Sequence, residues 1–386
     1  MQVIKKNGVT VPYDEQKIIN AISKSAKRAL DNITNDDYSK ICEKIFDEVC
    51  EQSEDDYISV YEMHSIVVNI LSEMFPKTAE SYRLYRNYKE DFVQMMDECY
   101  EKEQETRYIG DKSNANTDSA MVSTRRSISY GIFSSALYDK FFLNQEERQA
   151  IKDGYIYIHD KKDRRDTMNC CLCDMNEIIK DGFEMGNIWY NEPKTLDTWF
   201  DVVSDVTLSM ASQQYGGFTI PEVDTLLVPY AEKSYQKYFD EFKPYCTKEK
   251  AHEIAINKIR RDMEQGFQGW EYKFNTVASS RGDYPFIAIS FGIEQNQFGQ
   301  MATECILETR RKGQGKKGHK KPVLFPKLTF LYDENLHGEG QKLEHLFECA
   351  VECSSKCMYP DFLSLSGEGY IPSMYKKYGK VVSLMG

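Results

Sequence analysis

Three of the chain's eleven cysteines, Cys170, Cys171 and Cys173, lie within four residues of one another. The apolar run that carries them follows a polar, turn-rich stretch, which predicts a short buried strand. Successive side chains of a strand point to opposite faces, so Cys170 would share a face with Leu172 and Asp174. That face could offer a thiol to a substrate. The alternative is that all three cysteines pack as small buried hydrophobic residues.

Three lysines near the amino terminus could bind a phosphate chain. Lys5 and Lys6 come just before an Asn-Gly pair, which is the strongest short hairpin signal. Asp14 fits an N-cap, which places Lys17 in the first turn of the next helix, where the helix dipole favours anions. The three ammonium groups together could hold a triphosphate. A solvated lysine surface is the alternative.

The elements that would position these residues fall into a helical first part and an α/β remainder. After the hairpin, helical apolar spacing and capping signals predict four helices, the last of which runs past residue 92. Buried strands are predicted over 286–291 and 323–331, and long amphipathic helices lie between 194 and 267. Strands that are separated by long helices indicate an α/β body.

Two local patterns predict further secondary structure near the cysteine strand. The run Tyr155–Ile158 is rich in β-forming residues and predicts a strand. Thr219 and Glu222 have capping-box spacing, which predicts a helix that starts after Thr219.

Two other patterns have competing interpretations. A basic, glycine-rich loop over 310–321 could approach a nucleotide phosphate or remain a solvated loop, and it does not match the phosphate-binding P-loop pattern. Cys349, Cys353 and Cys357 fall on one stripe of a helix. They could bind a metal ion, but core packing is favoured because the stripe lacks a fourth ligand.

Composition limits the classes of function. A chain of 386 residues with 41% hydrophobic and 28% charged residues is typical of globular proteins and long enough for two or three domains. Its net charge of −12 argues against a general nucleic-acid or membrane-surface binder. We find no signal peptide and no apolar run that could span a bilayer. An odd number of cysteines outside a small disulfide scaffold predicts a cytoplasmic protein.

The amino-terminal pattern consists of Val3-Ile4-Lys5-Lys6-Asn7-Gly8, Val11-Pro12-Tyr13-Asp14 and Lys17-Ile18. It resembles the opening of the ATP-cone, the nucleotide-sensing domain of ribonucleotide reductases and of their transcriptional repressor. The resemblance implies that residues 1–92 form this domain and that Lys5, Lys6 and Lys17 contact phosphates of ATP or dATP. It also implies that His64 lies near the nucleotide. The repressor carries a zinc ribbon before its cone, so a cone that starts at residue 3 argues against the repressor.

The remaining chain contains six segments in a characteristic order, which are Asn169-Cys170, Asp181-Gly182-Phe183-Glu184-Met185-Gly186-Asn187, Tyr215-Gly216-Gly217, Ser234-Tyr235-Gln236-Lys237, Phe325-Pro326-Lys327-Leu328 and Met358-Tyr359-Pro360-Asp361. Together they resemble the anaerobic (class III) ribonucleoside-triphosphate reductases. The family fold is a ten-stranded α/β barrel made of two half-barrels. The resemblance implies that residues 93–386 are the first half-barrel with dimerisation helices.

The family's catalytic apparatus extends beyond the residues found here. In the family, a finger-loop cysteine that becomes a thiyl radical follows the Met-Gly that ends this chain at Gly386. A glycyl radical and a four-cysteine zinc site follow further on. We therefore expect the glycyl radical and zinc only in a carboxyl-terminal part, and we expect this chain alone to be inactive as a reductase.

The resemblance also implies roles for individual residues. Cys170 would face the ribose as the catalytic cysteine, and Lys237 would lie near a dNTP specificity site at a homodimer interface. Asn114 and Asn116 lie in a loop dense in hydrogen-bonding side chains and are predicted to contact substrate, although a simple turn is the alternative. No residue of this chain is predicted to bind a metal.

Anaerobic reduction of ribonucleoside triphosphates is thus the predicted function, under control by ATP, dATP and dNTP effectors. Formate is the expected reductant and a radical SAM activating enzyme the expected partner. The main alternative is a non-catalytic nucleotide-binding regulatory fragment. A relative of formate-lyase is a weaker alternative, because such an enzyme would lack the cone.

Overall fold

The computed structural model describes residues 1–53, 55–109, 121–165, 168–277 and 284–379. The chain divides into two compact units, 1–101 and 102–386. The division falls inside one long helix, Pro76–Ile109.

The first unit joins a three-stranded sheet to helices. β1 (Gln2–Ile4) pairs antiparallel with β2 (Thr10–Pro12) and parallel with β3 (Tyr57–Ser59). The helices are α1 (Glu15–Ala29), α2 (Asn35–Gln52), α3 (Val60–Met74) and α4 (Pro76–Ile109). The predicted hairpin and the four predicted helices are confirmed, whereas β3 was not predicted.

The hairpin turn is longer than the two-residue turn that an Asn-Gly pair favours. The N–H of Lys5 donates to the carbonyl of Val9 (2.9 Å), and the N–H of Gly8 donates to the carbonyl of Lys5 (2.9 Å). Gly8 has a φ of 76°, as required of the glycine that follows a turn in a three-residue hairpin loop. Lys6 therefore lies inside the turn rather than before it.

Side-chain caps fix where the helices of the first unit begin. Asp14 caps α1, and Ser59 with Glu62 forms the predicted capping box of α3. At the start of α4, the carboxylate of Asp31 accepts hydrogen bonds from the backbone N–H (3.1 Å) and the hydroxyl (2.7 Å) of Thr78. The helices enclose a core whose fully buried members include Ile22, Ile41, Ile45, Val49 and Leu71.

The second unit is built on a parallel sheet. Its strands are β4 (Cys171–Leu172), β7 (Phe218–Ile220), β8 (Ile287–Phe291), β9 (Lys327–Tyr332) and β10 (Asp361–Ser364), in the spatial order β10-β9-β8-β7-β4. All neighbours in this sheet are parallel. β7 and β8 are buried at every position, as expected of a parallel sheet that is covered on both faces. The predicted α/β class is confirmed, and five parallel strands agree with half of a ten-stranded barrel.

A separate antiparallel hairpin, β5 (Phe183–Met185) and β6 (Ile188–Tyr190), follows β4 along the chain. The described helices of this unit are α5 (Val122–Phe142), α6 (Gln145–Lys152), α7 (Met175–Ile179), α8 (Leu196–Ala211), α9 (Val223–Leu226), α10 (Val228–Phe242), α11 (Lys248–Thr276), α12 (Gln297–Lys312), α13 (Glu334–His337), α14 (Glu344–Cys357) and α15 (Tyr370–Tyr378).

Two sequence predictions in this unit are wrong. The segment Tyr155–Ile158 forms no strand, and Tyr155 and Tyr157 are each 85% exposed. Thr219 is buried inside β7 and caps nothing. Glu222, its predicted partner, has a φ of 52° and precedes the short α9.

Aromatic side chains on α8 and α11 form a cluster in the core of the second unit. The indole N–H of Trp270 donates to the carbonyl of Phe200 (3.0 Å). A Cβ at Gly266 would lie 2.2 Å from the ring of Phe200, so only glycine permits this approach of the two helices. The cluster comprises Trp199, Phe200, Phe267, Trp270 and Phe274.

A buried carboxylate ties the carboxyl end of β8 to α9. Asp224 is fully buried and accepts hydrogen bonds from the N–H groups of Gly292 and Glu294, both at 2.9 Å. Burial raises the pKa of Asp224 to about 6, although these two N–H groups favour the ionised form. The carbonyl of Gly292 lies 2.8 Å from Nε2 of His337, whose pKa is lowered by burial.

We expect Asp224 to make the unfolding free energy depend on pH. Its folded pKa is raised, so the ionised carboxylate destabilises the folded chain above about pH 6. This destabilisation disappears as pH falls from about 6 to about 4, where the folded chain holds a proton that the unfolded chain has released. A shift of about two units corresponds to at most about 3 kcal/mol. Asp224→Asn should remove this component. Urea unfolding followed by tryptophan fluorescence at pH 4.5 and 6.5 measures it.

Only the difference between wild type and Asp224→Asn isolates this component. The reason is that His337, whose folded pKa is lowered, reduces the unfolding free energy as pH falls below 6.5. Asp205→Asn, at an exposed position on α8, is the matched control and should keep the wild-type pH dependence. An Asp224→Asn variant with the wild-type pH dependence would contradict the assignment.

Candidate functional site

Cys170 presents an exposed thiol at the amino end of β4. Its Sγ lies 3.2 Å from the side-chain oxygen of Asn169. Exposure alternates along the segment as predicted, because Cys173 and Met175 are buried whereas Cys170 and Asp174 are exposed. The strand itself is shorter than predicted, since α7 begins at Met175 with Asp174 as its N-cap. Cys170 is therefore the most accessible of the three thiols in this segment.

Gly216 makes room for this thiol. The N–H of Gly216 donates to the carbonyl of Asn169 (3.0 Å), which brings the two backbones side by side. A Cβ on Gly216 would lie 2.3 Å from the side-chain oxygen of Asn169, 2.5 Å from Sγ of Cys170 and 2.9 Å from the backbone carbonyl oxygen of Asn169. The two side chains could move, but the backbone contact would remain too short, so position 216 requires glycine. Asn169, Cys170 and Gly216 thus form one compact site.

The thiols of the two neighbouring cysteines, Cys171 and Cys173, have raised pKa values. Burial raises the pKa of the Cys171 thiol, with a smaller contribution from nearby Cys170. Burial raises the pKa of Cys173 to about 12. Because the thiolate is the reactive nucleophile, both residues are poor nucleophiles near neutral pH. For Cys173 the structure supports the packing interpretation that the sequence left open.

The lysines predicted to bind phosphate are exposed in the first unit. The Nζ of Lys17 lies 3.2 Å from the carboxylate of Asp14, which also caps the helix. Lys6 places its Nζ 5.1 Å from the ring centroid of Tyr61 on α3, within the range of a cation–π contact. Lys5 is exposed beside the turn. The hairpin and the first turn of α1 thus both present ammonium groups to solvent.

His64 belongs to a polar and aromatic group between α3 and α4. Its Nδ1 lies 2.6 Å from the hydroxyl of Tyr82. Burial raises the pKa of Tyr82 to about 12, so its hydroxyl stays protonated and can donate to Nδ1. Arg86, one turn further along α4, places its guanidinium 5.6 Å from the ring centroid of Tyr61. The ring of Tyr61 therefore has two cationic neighbours, Lys6 and Arg86.

Sequence reasoning missed Tyr61, Tyr82 and Arg86. Helical spacing could have found them, because Tyr61 lies three residues before His64 and Arg86 lies four residues after Tyr82.

Lys237 is exposed on α10, with its Nζ 5.9 Å from the ring centroid of Tyr238. Its charge also acts on Asp197 of α8. The pKa of Asp197 is held below its usual value mainly by the hydroxyl of Thr195, and to a lesser degree by Lys237.

The predicted substrate residues Asn114 and Asn116 lie outside the described residues. Of the cysteine stripe on α14, Cys353 is buried and Cys349 and Cys357 pack against the same core, as the packing interpretation predicts. Within the described ranges, no three His, Cys, Asp or Glu side chains are grouped as metal ligands. None of the helices that the structure describes is long and apolar enough to cross a membrane.

Comparison with protein families finds two matches that together cover most of the chain. Residues 1–91 match the ATP cone domain. Residues 113–386 match the family described as "Anaerobic ribonucleoside-triphosphate reductase".

Curated relatives carry the same description. The chain is 30% identical to anaerobic ribonucleoside-triphosphate reductase of Haemophilus influenzae over 94% of this chain and 52% of the relative. It is 29% identical to that of Escherichia coli K12 over 94% and 51% of the respective lengths. The protein of bacteriophage T4 is 33% identical over 65% and 41%. The chain therefore spans about half the length of the curated relatives it matches.

Solved structures of an anaerobic ribonucleotide reductase are also similar to part of this chain. The anaerobic ribonucleotide reductase of Thermotoga maritima in complex with dATP and CTP is 14% identical over 74% of this chain and 50% of that one, with a TM-score of 0.47. The same enzyme with dATP bound in the specificity site gives 15% identity over 71% and 50%, with a TM-score of 0.45. The sequence family, which covers well over half of the chain, carries the assignment: the chain belongs to the anaerobic ribonucleoside-triphosphate reductase family.

Proposed function

We propose that this chain forms the nucleotide-sensing domain and the first half-barrel of an anaerobic ribonucleoside-triphosphate reductase. The observation that carries the proposal is the exposed Cys170 thiol, held by Asn169 beside a position that only glycine can occupy. The reaction replaces the 2′-hydroxyl of a ribonucleotide by hydrogen. The hydroxyl leaves as water, and formate supplies two electrons as it is oxidised to carbon dioxide.

Cys170 suits the role of hydrogen-atom donor at the ribose. A thiol S–H bond is weaker than an alcohol O–H bond, so a cysteine can exchange a hydrogen atom with a carbon-centred radical where a serine cannot. The thiol is exposed, and Gly216 leaves the space beside it without a side chain. The thiyl and glycyl radicals that start the reaction, and a zinc site, would come from further residues of the complete enzyme after treatment by a radical SAM activating enzyme.

The first unit would bind ATP and dATP. Lys5, Lys6 and Lys17 supply positive charge near the hairpin and the start of α1, where backbone N–H groups add further donors. We place residues 1–92 in this domain, with His64 near the nucleotide. ATP and dATP can act oppositely only if each prefers a different conformation, since a ligand shifts an equilibrium by its differential affinity.

A second effector site would lie at α8, α10 and α11, where two copies of the chain form a homodimer. Lys237 is exposed on α10 and would pair with the phosphates of a bound dNTP. Because the described cysteines form no disulfide, the proposal also places the enzyme in the reducing cytoplasm.

Cys170→Ser should abolish deoxyribonucleotide formation in the complete enzyme. We expect a fall of more than about 100-fold, equal to a loss of at least about 2.7 kcal/mol of transition-state stabilisation. Product formation from CTP with formate and the activating enzyme measures it. Cys171→Ser is the control and should be milder, because this side chain is half-buried and strand alternation is expected to turn it away from the Cys170 face. Near-normal turnover by Cys170→Ser would exclude it from the reaction.

Lys6→Ala should weaken dATP binding by the 386-residue chain. A charge-assisted contact contributes roughly 1.5–3 kcal/mol, so affinity should fall about tenfold or more. Isothermal calorimetry with ATP and dATP measures it, and Lys17→Ala should behave in the same direction. Lys24→Ala, at an exposed site on α1, is the control. If wild-type chain binds neither nucleotide at millimolar concentration, the first unit is not a nucleotide sensor.

Lys237→Ala should weaken binding of dTTP or dGTP and leave ATP binding to the first unit unchanged. The reason is that a fixed cation beside the effector phosphates would be lost while Lys5, Lys6 and Lys17 remain. Equilibrium binding with each nucleotide distinguishes the two sites. Lys243→Ala, on the residue that follows α10, is the control. Equal effector affinities in wild type and Lys237→Ala would remove this residue from the site.

A further inference from the structure

The glycine-rich loop between α12 and β9 forms a closed hairpin. Gln314 and Lys321 exchange backbone hydrogen bonds in both directions, each 2.9 Å long. At the tip, the N–H of His319 donates to the carbonyl of Lys316 (2.9 Å), and Gly318 has a φ of 81°. A glycine with positive φ in the third position of such a turn is typical of type II. The loop, which we call the 313–321 hairpin, therefore has a defined backbone.

Glycine is required at two positions near the base of the hairpin. A Cβ on Gly313 would lie 2.7 Å from the carbonyl oxygen of Lys321, and a Cβ on Gly315 would lie 2.9 Å from that of His319. Both glycines also have positive φ, which other residues adopt with strain. Gly313 and Gly315 therefore allow the two sides of the hairpin to approach each other closely.

The base of the hairpin is anchored in the protein interior. The side-chain amide of Gln314 donates to Glu271 (2.6 Å), and its oxygen accepts from Gln268 (3.2 Å). Glu271 in turn pairs with Arg310 at 2.8 Å, and both of these charged side chains are buried. A hairpin that is fixed at its base in this way carries its side chains at a defined place on the sheet.

The hairpin concentrates positive charge that no carboxylate of the described residues neutralises. Lys316, Lys317, Lys320 and Lys321 are all exposed, and in the part of the chain that the structure describes none of their ammonium groups has an ion-pair partner. The preceding basic residues differ, because Arg311 pairs with Glu352, and Lys312 pairs with carboxylates of α11 and α12. Four like charges within six residues repel one another, and a bound anion would relieve that repulsion.

The hairpin lies at the same end of the sheet as Cys170. It leads into β9, Cys170 leads into β4, and parallel strands have their amino ends at one edge. Between β9 and β4 lie β8 and β7, so the amino ends of β9 and β4 are three strand spacings apart, about 14 Å. An extended triphosphate and a lysine side chain together are of similar length.

We infer that the 313–321 hairpin binds the triphosphate chain of a nucleoside triphosphate. Four ammonium groups match the roughly four negative charges of one triphosphate. A long nucleic acid is disfavoured, because the remainder of a chain with a net charge of −12 would repel it. That the nucleotide is a ribonucleotide whose ribose reaches Cys170 rests on the proposed function. Triphosphate binding by the hairpin does not rest on it.

Lysine footprinting of the 386-residue chain tests this inference site by site. The chain is acetylated with and without millimolar inorganic tripolyphosphate, at ionic strength matched with sodium chloride, and each lysine is quantified by mass spectrometry. We expect several-fold protection of the four hairpin lysines and none at Lys376 and Lys377, two exposed neighbouring lysines on α15. Acetylation of Lys5, Lys6 and Lys17 is measured in the same spectra, so failure of the nucleotide-sensing proposal is scored separately.

A matched pair of variants supplies the second measurement. Lys316→Gln with Lys317→Gln should reduce the protection of Lys320 and Lys321 and weaken tripolyphosphate binding about tenfold or more, as expected for lost charge-assisted contacts. Lys376→Gln with Lys377→Gln makes the same change in net charge and should have no effect. Equal reactivity of the hairpin lysines with and without tripolyphosphate would overturn the inference. Protection by a single-stranded oligonucleotide but not by tripolyphosphate would also overturn it.

Discussion

The buried ion pair of Glu271 and Arg310 holds together the elements on which the second unit depends. Two charges removed from water are unfavourable unless hydrogen bonds compensate them. Here Arg310 donates to Glu271 and to the carbonyl of Pro326 (2.6 Å), and Glu271 also accepts from Gln314. One pair therefore joins α11, α12, the 313–321 hairpin and the entry to β9. Loss of either partner would leave an uncompensated buried charge, at a cost of about 3–5 kcal/mol.

Parallel strand pairing explains how residues far apart in sequence come to share one edge. Each strand of the sheet is entered from the same side, so the segments before β4, β7 and β9 all lie at that edge. Cys170, Gly216 and the 313–321 hairpin are such entry segments. At the carboxyl edge, the buried Asp224 and His337 use their polar atoms to tie loops together. Structural polar groups therefore lie at both ends of the sheet, because the Glu271–Arg310 pair lies at the entry to β9, whereas the exposed Cys170 thiol lies at the amino end.

Local signals in the sequence predicted local structure well. The hairpin, the cap at Asp14 and the capping box at Ser59 are each set by neighbours within a few residues, and each was predicted. The wrong predictions concern segments whose secondary structure is determined by contacts with residues far away in the sequence. Thr219 has the spacing of a cap, but pairing of β7 with β4 and β8 places it in a strand. Tyr155–Ile158 has β-forming residues but no partner strand among the described residues, and β-propensity expresses itself only through pairing.

The candidate site also combines features that local sequence predicts with features that depend on distant contacts. Sequence alternation alone separated Cys170 from Cys171 and Cys173, and the observed burial follows that separation. The closeness of Gly216 to Cys170 depends on the pairing of two segments more than forty residues apart, which no local pattern encodes. This pairing helps to decide which thiol is accessible. The strand turns Cys173 into the core, leaves Cys171 half-buried and leaves Cys170 exposed beside a residue without a side chain. The difference in accessibility among the three thiols therefore follows from strand geometry, since the three residues are of one type.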